Sequence, residues 1–267
     1  MPAIIAGRAG VGISGVGRLA VVYCAGMRRY TPRDWVILAL IGLAVLYYIN
    51  PGIVRQPALI EDAIYGLFIK LLVLAVSITV HEFGHAGVAY ALGDPTPKHE
   101  GRVSLNPLRH LDPLGTFMIL FGPIGWGKPV RWNPGNVTKT SIRLALVAVS
   151  LAGIAMNLLL ASSLYNVIHS SSLSLPRDAD RVIVQIIQLN IALAAFNILP
   201  IPPLDGYNFW LGVLPTSLAR FLWPLNQYGF LILILLIMVP SFGGPSLLSA
   251  LIGPVLRFFT RLVAGGF

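Results

Sequence analysis

The chain has 267 residues, 56% of them hydrophobic and 11% charged, with a formal net charge of +9 and a mean hydropathy of +0.78. A soluble domain carries about 25% charged residues, so this balance excludes an ordinary water-soluble globule and predicts a polytopic membrane protein. The basic residues sit singly between apolar runs, which argues against a nucleic-acid partner, and Cys24, the single cysteine, allows neither an intramolecular disulfide nor a cysteine-only metal site.

Residues 1–33 read as an N-terminal leader or flexible cytoplasmic segment with Arg8, Arg18, Arg28 and Arg29 interspersed. Gly10, Gly12 and Gly15 match GxGxxG spacing, but no βαβ context accompanies them. Met27, ahead of two arginines and a hydrophobic run, is a second candidate start. A span of hydrocarbon needs about 20 residues. Runs of that kind lie at 34–50, 63–92, 141–168, 182–200, 218–239 and, as a sixth candidate, 245–263. The expected fold is therefore an all-α membrane protein of about six transmembrane helices, forming a single membrane domain over 34–267. The stretch 113–126, "PLGTFMILFGPIGW", is apolar but short and broken by Gly and Pro, and reads as a re-entrant or interfacial segment.

The distribution of basic residues sets an orientation. With the amino end cytoplasmic and 113–126 not crossing, most of the 19 Lys and Arg fall on the cytoplasmic side, while Arg55, Arg177 and Arg181 fall on the other. Lys70 lies within the second span, close enough to the outer interface to snorkel. The second span then runs inward, and its cytoplasmic end carries "HEFGH".

His81 and His85 are four residues apart, so on a helix both imidazoles project from one face and can bind one zinc ion. Glu82 lies beside them to take a proton from water. Ionisable residues are rare in a span, which makes this pattern informative there; the rival reading is a pair of histidines hydrogen-bonding between helices. Two histidines leave room for a third protein ligand. Asp205, in "NILPIPPLDGYNF", fits because the fourth span ends on the same side as His81 and His85, and Pro200, Pro202 and Pro203 break the helix where irregular backbone lines a cavity. Asp-Gly as a plain turn is the alternative.

The segments "HEFGHA", "GRVSLNPLRHLDPLG", "GWGKPVRWNP", "AGIAMN" and "NILPIPPLDG" occur in this order and together resemble the site-2 protease family of intramembrane zinc metalloproteases, over about residues 60–212. The resemblance implies His81, His85 and Asp205 as zinc ligands, Glu82 as catalytic base, and Asn197 as a substrate or oxyanion contact. Asn157, in "AGIAMN", is either a substrate-positioning or a structural residue. It also implies regulated cleavage of membrane-anchored proteins, in or beside the bilayer, after trimming by an upstream protease, and short strands near the active site. Ile154 stands where the family usually has Pro, Tyr207 where it often has a second Gly, and no PDZ or CBS module is present. His110 and Asp112 match the family pattern and read as loop-anchoring or supporting residues; His99 and His169 fall in predicted loops. From another class, a membrane zinc transporter or a catalytically silent zinc-binding scaffold would also use intramembrane His and Asp. A transporter has no need of a general base such as Glu82 beside the first His. Substrate identity and oligomeric state stay open.

Overall fold

The computed structural model of the protein describes residues 57–118, 127–170, 175–238 and 247–265. Within them the chain folds into α1 (Pro57–Ala91), α2 (Thr96–His99), α3 (Pro113–Met118), α4 (Ile142–Ser170), α5 (Arg177–Asn197), α6 (Asp205–Val213), α7 (Thr216–Leu222), α8 (Gly229–Met238) and α9 (Leu247–Val263), with short 3-10 turns between some of them. Among the described residues there is no strand. The nearest to one is an antiparallel bridge between Leu111 and Gly127, where the Lys128 N–H donates to the His110 carbonyl at 2.7 Å.

Among the described residues three helices are long and apolar enough to cross a membrane: Ile64–Ala91 within α1, Ile142–His169 within α4, and α5 itself. They match the runs expected at 63–92, 141–168 and 182–200. The run at 218–239 departs from the expected single span, for it is broken into α7, a 3-10 stretch Trp223–Tyr228 and α8. Pro224, in the first turn of that stretch, has no N–H to continue an α-helical ladder. Within the run at 245–263 the described residues form α9, Leu247–Val263. The leader, the run at 34–50 and, beyond α3, the rest of 113–126 lie outside the described residues. His169, expected in a loop, belongs to the last turn of α4 and stacks on Tyr165 at 3.9 Å; His99 closes α2.

Helix α4 packs against α1, α5 and α6, and α9 lies on α5 and α4. The core shared by α4, α5 and α9 is built from Ile154, Ala161, Ile187, Ile191, Ala194, Ala195, Phe259 and Val263. Small residues set the spacing, because lipid supplies no hydrophobic drive between helices and close packing must hold them. At Gly84 a Cβ would lie 2.8 Å from the Ala152 carbonyl oxygen, so only glycine lets α1 and α4 approach this closely. On the outside Ile64, Phe68 and Leu159 are 60–62% exposed. Such apolar exposure is costly in water and free of cost against lipid tails, as befits a membrane protein.

Helix α1 ends where Gly93 adopts φ +108°, with the Gly93 N–H bonded to the Tyr90 carbonyl and the Asp94 N–H to that of Ala89. This left-handed residue is a common helix stop. Asp94 is fully buried and accepts from the Thr96 N–H (3.0 Å), the Thr96 hydroxyl (2.6 Å), the Asn133 N–H (2.6 Å) and Asn136 Nδ2 (2.9 Å). A buried carboxylate satisfied in this way ties the loop at 133–136 to the end of α1, just beyond the HEFGH segment.

Candidate metal centre

The i, i+4 spacing of helix α1 carries His81 and His85 onto the face that meets α4. Their rings meet edge to face with centroids 4.6 Å apart, and their Nε2 atoms are 3.0 Å apart. Asp205, the first residue of α6, brings its Oδ2 to 3.2 Å from each Nε2. One ligand atom from each of the three lies within 4.8 Å of the others. The structure thus brings these three residues together across 120 positions of chain, from His85 to Asp205.

The partners of the other ring nitrogens decide what this cluster can hold. His81 Nδ1 is 2.6 Å from Asn157 Oδ1, and His85 Nδ1 is 2.6 Å from the Val149 carbonyl. Both partners only accept, so both Nδ1 atoms carry the proton and both Nε2 lone pairs point into the cluster. Asp205 Oδ2 is buried and receives no hydrogen bond. Three buried acceptors facing one another repel unless a cation lies between them. A tetrahedral zinc ion with Zn–N bonds of about 2.0–2.1 Å keeps its nitrogens about 3.3 Å apart, close to the spacing seen here. The donor set therefore fits zinc, with two nitrogens, one carboxylate oxygen and one position left over. Space for it depends on Gly153: a Cβ there would lie 2.6 Å from both His81 Cε1 and His85 Cε1, and closer still to His85 Nε2.

Asp205 reaches the cluster because α5 stops at Asn197 and the chain turns within the next seven residues. The Ile201 N–H bonds to the Leu199 carbonyl and the Leu204 N–H to that of Ile201. A Cβ on Gly206 would lie 2.5 Å from the Leu199 carbonyl oxygen and closer to the Ile198 backbone. Glycine is thus required by close approach, and the Asp-Gly pair starts a helix instead of forming a plain turn. At the other end of α6, Arg143 Nε donates to the Gly212 carbonyl at 3.1 Å and Nη2 to those of Val213 and Leu214. A cation on the last carbonyls of a helix is favourable and locks α6, and with it Asp205, onto α4. Tyr207, at the family's second-Gly position, is buried and donates to the Leu222 carbonyl at 3.2 Å.

Glu82 follows His81 on α1, turned about 100° from it and about 60° from His85. It is buried, 8% exposed, and its Oε2 accepts from the Val130 N–H at 2.8 Å. Arg102 fixes the segment that carries this N–H. Only 2% exposed, its guanidinium donates to the carbonyls of Lys128 (2.9 Å), Pro129 (2.8 Å) and Arg109. Nearby, His110 is fully buried and donates from Nε2 to the Ser104 carbonyl at 2.7 Å, while its Nδ1 has no partner. Asp112 caps α3 through the Gly115 N–H at 2.9 Å. Both residues anchor the loop.

Asn197 ends α5 half-buried, its Nδ2 donating to the Leu193 carbonyl at 3.0 Å. Asn157 is fully buried behind His81. Sequence reasoning did not reach Ser77, Asn190, Arg102 or Gly153. Ser77, His81 and His85 form one i, i+4, i+8 stripe on α1, and Val149, Gly153 and Asn157 another on α4. The stripes meet in antiparallel order, a register that polar residues spaced by four in apolar spans could have signalled.

Comparison with known proteins agrees with this chemistry. The chain is 39% identical over 177 residues to YwhC of Bacillus subtilis (strain 168), covering 64% of this chain and 80% of YwhC. It is 34% identical over 185 residues to Rip2 of Mycolicibacterium smegmatis, covering 66% and 69%, and 31% identical over 198 residues to Rip2 of Mycobacterium tuberculosis (strain H37Rv), covering 67% and 70%. All three bear provisional names as zinc metalloproteases. No family model and no solved structure matches the chain. With relatives of this similarity and coverage, and a His-His-Asp group fitted to zinc, the chain belongs to the site-2 protease family of zinc metalloproteases.

Proposed function

We propose that this protein is an intramembrane zinc endopeptidase that cuts membrane-anchored proteins within or beside the bilayer, in regulated proteolysis downstream of another protease. His81, His85 and Asp205 hold the zinc ion, and Glu82 is the general base. The observation that carries this reading is the convergence of three buried acceptors, Asp205 Oδ2 among them without a hydrogen bond, beside a buried glutamate in a span-length helix.

When bound, zinc lowers the pKa of a water molecule and polarises the scissile carbonyl. Glu82 takes the water proton on its carboxylate and returns it to the amide nitrogen as the C–N bond breaks. The Val130 N–H orients that carboxylate through Oε2. Asn197 Nδ2 carries a second N–H besides the one given to Leu193, and donates it to the developing oxyanion, a contact worth a few kcal/mol in other enzymes. Asn157 is engaged at both ends of its amide, so we place it behind His81 and not against substrate.

We further propose a multi-pass protein of the cell membrane with about six transmembrane helices. Residues 34–267 make one membrane domain, 1–33 its leader, and the amino end and active site face the cytoplasm. The excess of Lys and Arg on that side supports this orientation. A zinc transporter or silent scaffold is not favoured, since the relatives bear protease names. The test is Glu82→Gln in the purified full chain. It should keep zinc by metal analysis and lose cleavage of a membrane-anchored reporter by at least about 100-fold; cleavage at the wild-type rate would end the protease mechanism.

A further inference from the structure

The polar groups behind His81 form a chain with a direction. Asn157 Oδ1 takes the His81 Nδ1 proton, so the other end of the same amide must donate. Its Nδ2 gives to Asn190 Oδ1 at 2.5 Å and to the Ser77 carbonyl at 3.3 Å. With Oδ1 accepting, Asn190 donates from Nδ2 to Ser77 Oγ at 2.8 Å and to the Ile186 carbonyl at 2.8 Å. Ser77 Oγ in turn donates to the Val73 carbonyl at 2.7 Å. Ser77, Asn157 and Asn190 are each fully buried and lie on α1, α4 and α5 respectively.

Amide orientation is settled by the network it must close. Turning Asn157 over would set its oxygen against Asn190 Oδ1 and the Ser77 carbonyl. Turning Asn190 as well would set its oxygen against the Ile186 carbonyl. The chain ends on backbone carbonyls, which cannot donate, so one polarity satisfies every group. That polarity puts the His81 proton on Nδ1 and leaves the Nε2 lone pair facing His85 and Asp205.

We propose that Asn190 is a positioning residue for the metal centre, acting through Asn157 to hold His81 in the tautomer that offers Nε2 to the ion. This rests on His81 being a ligand, as proposed above. It makes the seating of α5 against α1 and α4 a condition of tight zinc binding, although α5 itself supplies no ligand. Groups of this kind behind a ligating histidine typically change metal affinity about 10- to 100-fold.

The experiment is zinc titration of the detergent-purified full chain against a chelator of known affinity. Asn190→Leu should weaken zinc binding about tenfold and Asn157→Leu about 10- to 100-fold, and the double variant should be no weaker than Asn157→Leu alone. Residues acting in series are non-additive in this way. Loosened helix packing would instead add the two losses, and that result overturns the proposal. Ser77→Ala, a change of one oxygen, serves if Asn190→Leu does not fold; it should weaken binding about threefold or more, and wild-type affinity would also overturn the proposal. In 15N-histidine spectra of the zinc-free protein, His81 should show protonated Nδ1 in the wild type and a mixed population in Asn190→Leu. His81→Leu separates the two readings. If it keeps tight zinc, the ligand assignment fails; if it loses zinc while Asn190→Leu binds normally, only the role of Asn190 fails.

Discussion

The imidazoles of His81 and His85 are held from behind by α4, through Asn157 Oδ1 and the Val149 carbonyl, each at 2.6 Å. Glu82, between them in sequence on the same helix, is held from the loop side by the Val130 N–H at 2.8 Å. The proposed metal half is thus made by registering three long helices through buried polar side chains. The proposed base half is made by irregular backbone, pinned by Arg102 to the carbonyls of Lys128 and Pro129. Two modes of support in one site mean that zinc binding and the placement of the base are separable by mutation.

The largest effect should come from filling the gap that α4 leaves over the histidines. Gly153→Ala adds one carbon 2.6 Å from both His81 Cε1 and His85 Cε1, and the rings or the helix must move. Metal ligands tolerate displacements of about 0.2 Å, so zinc affinity should fall by more than about 100-fold. Helix propensity works the other way, since alanine favours a helix by about 1 kcal/mol over glycine. Loss of zinc with helix content retained is the expected pattern, and wild-type zinc affinity would show that the histidines do not need this space.

On the base side the effect should be smaller and of a different kind. Arg102→Gln removes donors from three backbone carbonyls and frees the segment that carries the Val130 N–H. A misplaced catalytic group costs up to about 100-fold, so reporter cleavage should fall about 10- to 100-fold while bound zinc is unchanged. Arg102→Lys should not restore it, because an ammonium lacks the planar fork that spans several carbonyls. If zinc were lost together with cleavage, the two halves would not be separable.

The same contrast explains what the sequence could disclose. His81, Glu82 and His85 lie within about one turn of helix, so spacing alone reveals a common face for the two histidines with Glu82 beside it, and Asp205 follows once the span directions are assigned. The three long helices follow from unbroken apolar runs. By contrast, Arg102 reads as one more basic loop residue, because its role depends on carbonyls 26 and 27 positions away. Asn190 reads as a tolerated polar residue in a span, since its partners lie on α1 and α4. The break within the run at 218–239 has a local reason, Pro224, which a hydropathy window averages away.

The smallest expected effect sharpens the base side further, through His110. Burial disfavours its charged form, with Arg102 adding to that and the Ser104 carbonyl and Glu82 opposing, so its pKa lies below the ordinary 6.5. In the unfolded loop the imidazole returns to about 6.5 and binds a proton at pH values where the folded one does not. The unfolded state then carries more protons, and stability must rise with pH through this window. The contribution is fully present above about pH 6.5 and is lost as pH falls from there toward the folded pKa. Protonation at the unpartnered Nδ1 would add a cation to the loop that Arg102 already occupies. Thermal unfolding of the purified protein should therefore shift to lower temperature between about pH 7.5 and 5.5, and His110→Gln should flatten that slope while lowering the midpoint at pH 7.5. Metal-ligand protonation is common to both proteins, so the difference between the two slopes isolates His110; identical slopes would remove it from the account of how the loop is held.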